Sequence, residues 1–458
     1  MSGKLKISVS GIRGVVGEDF DTELVSRIVS AFGRTRGGRV VLGRDTRQSG
    51  SAFEKIASGV LLSEGLDVIE LGIAPTPTVE LATLEFRASG GIVITASHNP
   101  PEWNGIKLIG PDGVAIEEPE LSKIIELSEK PDLPCVKYNE FGRIIEFSDT
   151  PHFHIEKVLS IPYLDLDAIY RKHLRVVYDG NNGAGCVVIP RLLRDLGCEV
   201  FLINEEPNGN FTHSPEPIPD ALVELGNKVR ETQSILGLAT DPDADRLALV
   251  DENGVPISEE FTLAFATDYL LSKNRGPVVV NLSTSSLMDF IAEKYNVPIY
   301  RTKIGELNVA RGLKEHGGVI GGEGNGGVIL PEIHYGRDAI VATVLILAYL
   351  TEKTKKPSQI KNEDFPAVFM IKDKLPQFRF EEFEGEITRS FNPVSVSRVD
   401  GIRLVLERGW IHIRQSNTEP ITRIIVETAS EEESKALLAK LKGIISGAPK
   451  TGSQKQFS

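Results

Sequence analysis

One pattern recurs three times in this chain and narrows the fold more than any other feature. An apolar strand meets a polar turn, a helical run follows, and a second apolar strand comes after it. "GRVVLGRDTRQSG" leads through the helical run 51–64 to "LDVIELG". "LRVVYDGNNGAG" leads through 187–196 to "CEVFLIN", and "GPVVVNLSTSS" through 286–295 to "VPIYRTK". Dense apolar strands alternating with amphipathic helices predict parallel α/β units. Each unit is followed by one more strand that ends in an unusual loop: "GGIVITASHNPP", then "ILGLATDPDADR", then "GGVIGGEGNGG". Open α/β sheets bind ligands beyond the carboxyl ends of their strands. Three such loops, one from each of three similar domains, are expected to face one cleft.

After the third loop the pattern stops. "TEKTKKPSQIKNEDFP" (351–366) reads as a linker. "GWIHIRQSNTEPITRIIVET" then reads as strand, loop, strand, and "SEEESKALLAKLKGII" as a helix opening on Ser430 with glutamates in its first turn. The expected fold class is α/β with four domains: three similar α/β domains with mixed sheets, at 1–150, 151–254 and 255–364, and a C-terminal α+β domain at 365–458. A chain of 458 residues exceeds a single core, which agrees with this division.

Net charge limits the partners. With 64 acidic against 51 basic residues the chain carries −13. That argues against nucleic acid, whose nonspecific binding needs a basic surface. No stretch approaches the ~20 apolar residues of a membrane span, and "MSGKLKISVSG" has no apolar signal-peptide core. Cys135, Cys186 and Cys198 form no CxxC pair, so reduced thiols and a cytoplasmic location are expected.

The loops carry the chemistry. "DPDADR" sets Asp241, Asp243 and Asp245 at alternate positions with Arg246 next. Carboxylates this close repel unless a cation holds them, and hard oxygen ligands in a short loop suit Mg²⁺. The alternative is a solvated acidic turn. "RQSNTEPITR" offers Arg414, Ser416, Asn417, Thr418 and Arg423, the hydroxyl, amide and guanidinium donors that hold a phosphate; a plain β-turn is the other reading. "GEGNGG" matches GxGxxG, but the residues after it are "VILP" rather than a helix, so it is not a dinucleotide site. Glu323 and Asn325 in that loop suit hydroxyl recognition, or the loop is only a hairpin turn.

Ser97 ends an apolar strand and enters "SHNPP". It is either a helix N-cap or a nucleophile. His98 is its chain neighbour and GxSxG is absent, so a Ser-His-Asp hydrolase is disfavoured. Phosphoryl transfer asks only for a nucleophile, a metal and cations around the transition state. Lys107, ten residues on, supplies a proton or a charge. His152 and His154 have no third metal ligand in reach along the chain, and no GxxxxGK[ST] phosphate loop occurs.

"TASHNPPEWNGIK", "DPDADR", "GEGNGG" and "RQSNTEPITR", in this order over the whole chain, resemble the α-D-phosphohexomutase family. "GIRG" (11–14) and "GRDTRQSG" (43–50) are similar to its N-terminal motifs. The resemblance implies a heart-shaped enzyme around a central cleft, with Ser97 carried as phosphoserine. The phosphoryl group passes to a hexose or hexosamine phosphate, and a bound 1,6-bisphosphate returns the other phosphate to Ser97. One Mg²⁺ per chain is implied at Ser97, Asp241, Asp243 and Asp245. Arg13, His98, Lys107 and Arg246 are implied beside the transferring group, with Glu323 and Asn325 on the sugar. Arg414, Ser416, Asn417, Thr418 and Arg423 are implied on the phosphate that is not reacting. Hexose 1,6-bisphosphate is the implied activator, and a monomer or homodimer the implied state.

The family's sugar loop otherwise runs Glu-x-Ser-Gly-His. Here Asn325 stands in the serine position and Gly327 in the histidine position. "SNTEP" leans away from bacterial phosphoglucosamine mutases, "TKIGE" leans toward them, and "SVSGIRGVVG" with "GEGNGG" looks most like archaeal-type members. Glucosamine, mannose and glucose phosphates are all compatible substrates. Two other functions remain open: a metal-dependent sugar-phosphate phosphatase and a non-catalytic sugar-phosphate binder.

Overall fold

The computed structural model describes residues 5–130, 132–147, 149–416 and 421–447. The chain forms two compact units, Met1–Asn281 with Ile291–Asp364, and Leu282–Phe290 with Phe365–Ser458.

The first unit holds three mixed sheets of seven, five and four strands. They share one topology, which explains why the sequence repeats. In the first sheet, Arg39–Arg44 lies parallel to both Asp67–Ile73 and Gly90–Ile94, and Gly90–Ile94 is antiparallel to Trp103–Ile109. In the second, Arg175–Asp179 is parallel to Glu199–Ile203 and Leu236–Thr240, and the latter is antiparallel to Leu247–Val250. In the third, Val278–Asn281 is parallel to Ile299–Thr302 and Ile320–Glu323, and the latter is antiparallel to Gly327–Ile329. The three motif loops thus occupy the same topological place. Each lies where the third parallel strand ends and the chain turns back on itself.

Local sequence explains the elements. Gly50–Ser63 buries Phe53, Ala57 and Leu61, spaced four apart on one helical face. Gly90–Ile94 is buried at every position, as a strand covered on both faces must be. The helix Ala339–Glu352 buries twelve of its fourteen residues and reads as apolar all round, the mark of a core helix. Asp338 caps it, accepting from the backbone N–H of Ile340 (2.7 Å) and Val341 (3.1 Å).

The second unit is a five-stranded antiparallel sheet with the helices Glu384–Phe391 and Glu431–Gly447. Ile402 and Leu404, Ile411 and Ile413, Ile424 and Val426 alternate along their strands and bury one face, against Ile387 and Leu441. Ser430 Oγ accepts from Glu433 N–H at 3.3 Å, as an N-cap does.

Two details differ from the sequence reading. The stretch 351–366 is not a plain linker, because it contains the helix Pro357–Glu363. Pro357 opens that helix, Gln359 Oε1 accepts from Lys356 N–H at 3.0 Å, and Ile360 is buried. Leu282–Phe290, within the stretch read as the third domain, belongs to the second unit. There Ser286 donates to Glu427 Oε1 from its backbone N–H (2.9 Å) and from Oγ (2.6 Å).

Candidate active site

Ser97 is 1% exposed and has φ +50°, in the left-handed region that costs a residue with a side chain about 1–3 kcal/mol. It caps no helix. Its conformation is imposed by a buried network. Thr95 Oγ1 accepts from Ser97 N–H (2.9 Å) and donates to Asp45 Oδ2 (2.6 Å). Asp45 receives Arg47 through the backbone N–H (2.9 Å) and Nε (3.1 Å). The rest of the Arg47 guanidinium donates to four carbonyls of the serine loop: Ser97 (2.6 Å), Asn99 (2.6 Å), Pro100 (2.6 Å) and Trp103 (2.9 Å). All five guanidinium N–H groups are thereby used. The strand Trp103–Ile109 pairs beside this loop, and a Cβ at Gly105 would lie 2.7 Å from both Ile12 O and Thr95 O, so only glycine fits there.

The Ser97 hydroxyl faces the aspartates. It lies 3.4 Å from Asp241 Oδ2 and 3.3 Å from His98 Nδ1. Asp241, Asp243 and Asp245 are fully buried, and one carboxylate oxygen from each lies within 4.8 Å of the others. Asp243 Oδ2 accepts from Lys107 Nζ (2.6 Å) and Thr76 Oγ1 (2.7 Å). Asp245 Oδ2 accepts from Lys107 Nζ (3.2 Å) and Arg337 Nη2 (2.7 Å). Asp241 Oδ1 receives the backbone N–H groups of Asp245 and Arg246, both at 3.2 Å. Asp243 Oδ1 and Asp245 Oδ1 are buried and accept no hydrogen bond among the described residues.

These groups fit a divalent cation. The donors are all hard oxygens, and two of them are buried without a hydrogen. Burial, and then the charges of Asp245 and Asp243, push the Asp241 carboxyl well above its ordinary range. A cation would reverse that. The solvated-turn alternative fails on burial.

The neighbouring cations are tuned by the same cluster. Burial alone would lower Lys107, but Asp243 and Asp245 outweigh it and hold the ammonium charged. Lys107 in this state is a proton and charge donor, not a free base. Arg246, then burial and Arg13, push His98 down to about 2, so this imidazole is neutral. Arg246 Nη1 donates to Glu216 Oε1 (3.3 Å), and its Nε lies 3.7 Å from Asp245 Oδ1. Arg13 donates to Asn99 Oδ1 (3.3 Å) and Ser10 O (2.7 Å).

The sugar-loop motif is a hairpin, with Glu323 opposite Gly327. Glu323 is nevertheless buried and built in. Its Oε1 accepts from Asn281 Nδ2 (2.8 Å) and Gly305 N–H (3.0 Å), and its Oε2 from Arg337 Nη1 (3.0 Å). Asn325 Oδ1 accepts from Gly327 N–H at 3.2 Å, which shapes the turn.

In the second unit, Arg414 and Arg423 sit directly opposite on paired antiparallel strands. Ser416 N–H donates to Ile421 O (2.9 Å). Asn417 and Thr418 lie outside the described residues.

Three residues of this constellation escaped the sequence reading. Arg47 lies in a motif noticed there without a role, and Thr76 and Arg337 in none. Arg337 did leave a signal, since a cation just before a helix N-terminus opposes the helix dipole. A second cluster among the described residues, His154, His334 and Asp338, resembles a metal site but is closed. His334 Nδ1 accepts from Gly336 N–H (3.0 Å), so its proton sits on Nε2 and is donated to Asp338 Oδ2 (3.0 Å). His154 Nε2 meets the same oxygen at 2.9 Å and its Nδ1 faces Thr78 Oγ1 at 2.8 Å. The cluster anchors Asp338 at the core helix and leaves no lone pair for a metal.

Comparison with known proteins agrees over the whole length. The phosphoglucomutase/phosphomannomutase family descriptions match in order: alpha/beta/alpha domain I over residues 4–134, domain II over 152–254, domain III over 258–368 and the C-terminal domain over 374–443. A phosphoglucomutase/phosphomannomutase of Thermococcus kodakarensis is 39% identical, covering 95% of this chain and 97% of that protein. A probable phosphoglucosamine mutase of Methanopyrus kandleri is 36% identical, covering 93% and 95%. The crystal structure of a phosphoglucomutase/phosphomannomutase family protein from Burkholderia thailandensis superposes with a TM-score of 0.85 at 25% identity, covering 98% and 99%. No helix among the described residues is long and apolar enough to cross a membrane. This chain belongs to the phosphoglucomutase/phosphomannomutase family, the α-D-phosphohexomutases, and is an isomerase of that kind.

Proposed function

We propose that the protein interconverts the 1- and 6-phosphates of a hexose or hexosamine through a phosphoserine at Ser97. The observation that carries this reading is the buried meeting of the Ser97 hydroxyl, three aspartates with two unsatisfied oxygens, and the charged Lys107. Asp241, Asp243, Asp245 and the oxygen on Ser97 would hold Mg²⁺, which supplies charge neutralisation for the transferring phosphoryl group.

The chain's own groups do the rest. The phosphorus–Oγ bond of phosphoserine breaks and a bond forms to the free hydroxyl of the sugar phosphate. The proton of that hydroxyl ends on Ser97 Oγ, which leaves as the serine hydroxyl. Lys107 and Arg246 would stabilise the developing charge, since Lys107 donates to both Asp243 and Asp245 and Arg246 lies beside Asp245. Glu323 accepts from sugar hydroxyls, while Arg414 and Arg423 bind a phosphate group. Arg47 holds the serine loop at one geometry, which phosphoryl transfer needs because little else in the reaction is covalent protein chemistry.

Phosphorus NMR tests the reading. The purified protein is mixed with Mg²⁺, a trace of hexose 1,6-bisphosphate, and the 1-phosphates of glucose, mannose and glucosamine in turn. Growth of a 6-phosphate signal supports the proposal, and the relative rates name the sugar. Relatives carry both hexose and hexosamine names. Inorganic phosphate alone would make it a phosphatase, and no reaction with any of the three would overturn the proposal.

A further inference from the structure

Arg337 joins the two loops that the proposed reaction must hold in register. Its Nη1 donates to Glu323 Oε2 of the sugar loop (3.0 Å) and its Nη2 to Asp245 Oδ2 of the aspartate loop (2.7 Å). Its Nε lies 3.4 Å from Glu306 Oε2, and its backbone N–H donates to Glu306 Oε1 (2.7 Å). Nε itself makes no hydrogen bond among the described residues.

The space for this side chain comes from Gly327. A Cβ there would lie 2.3 Å from Arg337 Cδ and 2.9 Å from Cγ. Both are stem atoms of a side chain pinned at its far end by carboxylates on three segments, so the stem cannot swing aside. Any side chain at 327 and the present Arg337 therefore exclude each other. Gly327 lies directly opposite Glu323 in the hairpin, so a side chain from 327 would occupy the place from which Arg337 now reaches that carboxylate.

We propose that Arg337 is a positioning residue of this site: it fills the space left by the absent side chain of residue 327 and locks Glu323 and Asp245 into one hydrogen-bonded frame. The inference rests on the mutase reading for its functional half and on packing alone for its steric half. A lysine could supply the charge but not the fork that spans two carboxylates.

The test is a cycle of Gly327→His, Arg337→Ala and the double variant, with Arg337→Lys beside it, read by melting temperature and by kcat and KM for the preferred sugar phosphate. Arg337→Ala is expected to lower kcat/KM about 10²-fold, the cost of a loosened catalytic geometry, with the loss in kcat as well as KM. Arg337→Lys should fall in the same direction. Gly327→His should lower the melting temperature, and adding Arg337→Ala should restore much of it, because the imidazole then has room. Wild-type kcat/KM in both Arg337 variants would overturn the positioning role. Additive melting shifts around the cycle would overturn the shared space. A wild-type protein inactive on every sugar phosphate would sink the mutase reading, yet the melting cycle would still decide the steric claim.

Discussion

Arg47→Lys is the most informative single change, because the residue meets the serine loop through main-chain carbonyls and hydrogen-bonds to neither the three aspartates of the cluster nor the sugar loop. Arg47 supplies five N–H donors, one to Asp45 Oδ2 and four to carbonyls of Ser97, Asn99, Pro100 and Trp103. Lysine keeps the charge but has three donors. At least two of these buried acceptors lose their partner, at about 1–3 kcal/mol each. The loop can recover part of that by relaxing, and the first relaxation available is the left-handed backbone of Ser97, which itself stores about 1–3 kcal/mol. The serine oxygen then leaves its place 3.4 Å from Asp241. If about 2–4 kcal/mol of this appears in the transition state, kcat/KM falls about 30- to 10³-fold. The assay is mutase turnover with saturating Mg²⁺ and bisphosphate, paired with a melting curve to show that the fold survives. A folded Arg47→Lys protein with kcat/KM close to wild type would refute the argument that this network sets the nucleophile's geometry.

Other outcomes follow from the same geometry. Ser97→Ala should abolish turnover and the phosphoprotein seen by intact mass, while calorimetry still detects sugar-phosphate binding; residual phosphate on the protein would place the nucleophile elsewhere. Asp243→Ala removes two hydrogen-bond acceptances and one charge from the aspartate cluster, so turnover should collapse, and unchanged turnover with unchanged Mg²⁺ dependence would sink the metal assignment. Arg414→Ala should weaken sugar-phosphate binding by about 1.5–3 kcal/mol, read as a raised KM; an unaltered KM would remove it from the phosphate site. For Asp338, burial would raise the carboxyl, but His154 and His334 outweigh it and hold it below the carboxylate range. A depressed acid stabilises above its unfolded value of about 3.9 and loses that stabilisation as pH falls below it. Wild type should therefore exceed Asp338→Asn by about 3 kcal/mol near neutrality, and urea titrations should show the gap narrowing in acid; a gap independent of pH would refute the charge argument.

The motifs were legible because their chemistry is local. Three aspartates at alternate positions must crowd their charges wherever the loop lies, and a polar loop after an apolar strand marks a strand end. The threefold repeat likewise showed itself in hydrophobic periodicity, since each unit buries its strands in the same way. The short helix Pro357–Glu363 was missed because one buried isoleucine decides it, and a polar seven-residue segment shows no periodicity to read.

Arg47, Thr76 and Arg337 could not be found this way. Arg47 acts on main-chain carbonyls some fifty residues away, and a carbonyl is the same atom in every residue. Arg337 meets a carboxylate 92 positions earlier, and its place depends on a side chain that residue 327 lacks. The residue order already carries the set of oxygens, hydroxyls and cations and the strand ends at which they emerge. Which of them share one water-poor volume follows from how the chain packs. There distance and desolvation set the charge on Lys107, the neutrality of His98 and the raised carboxyl of Asp241.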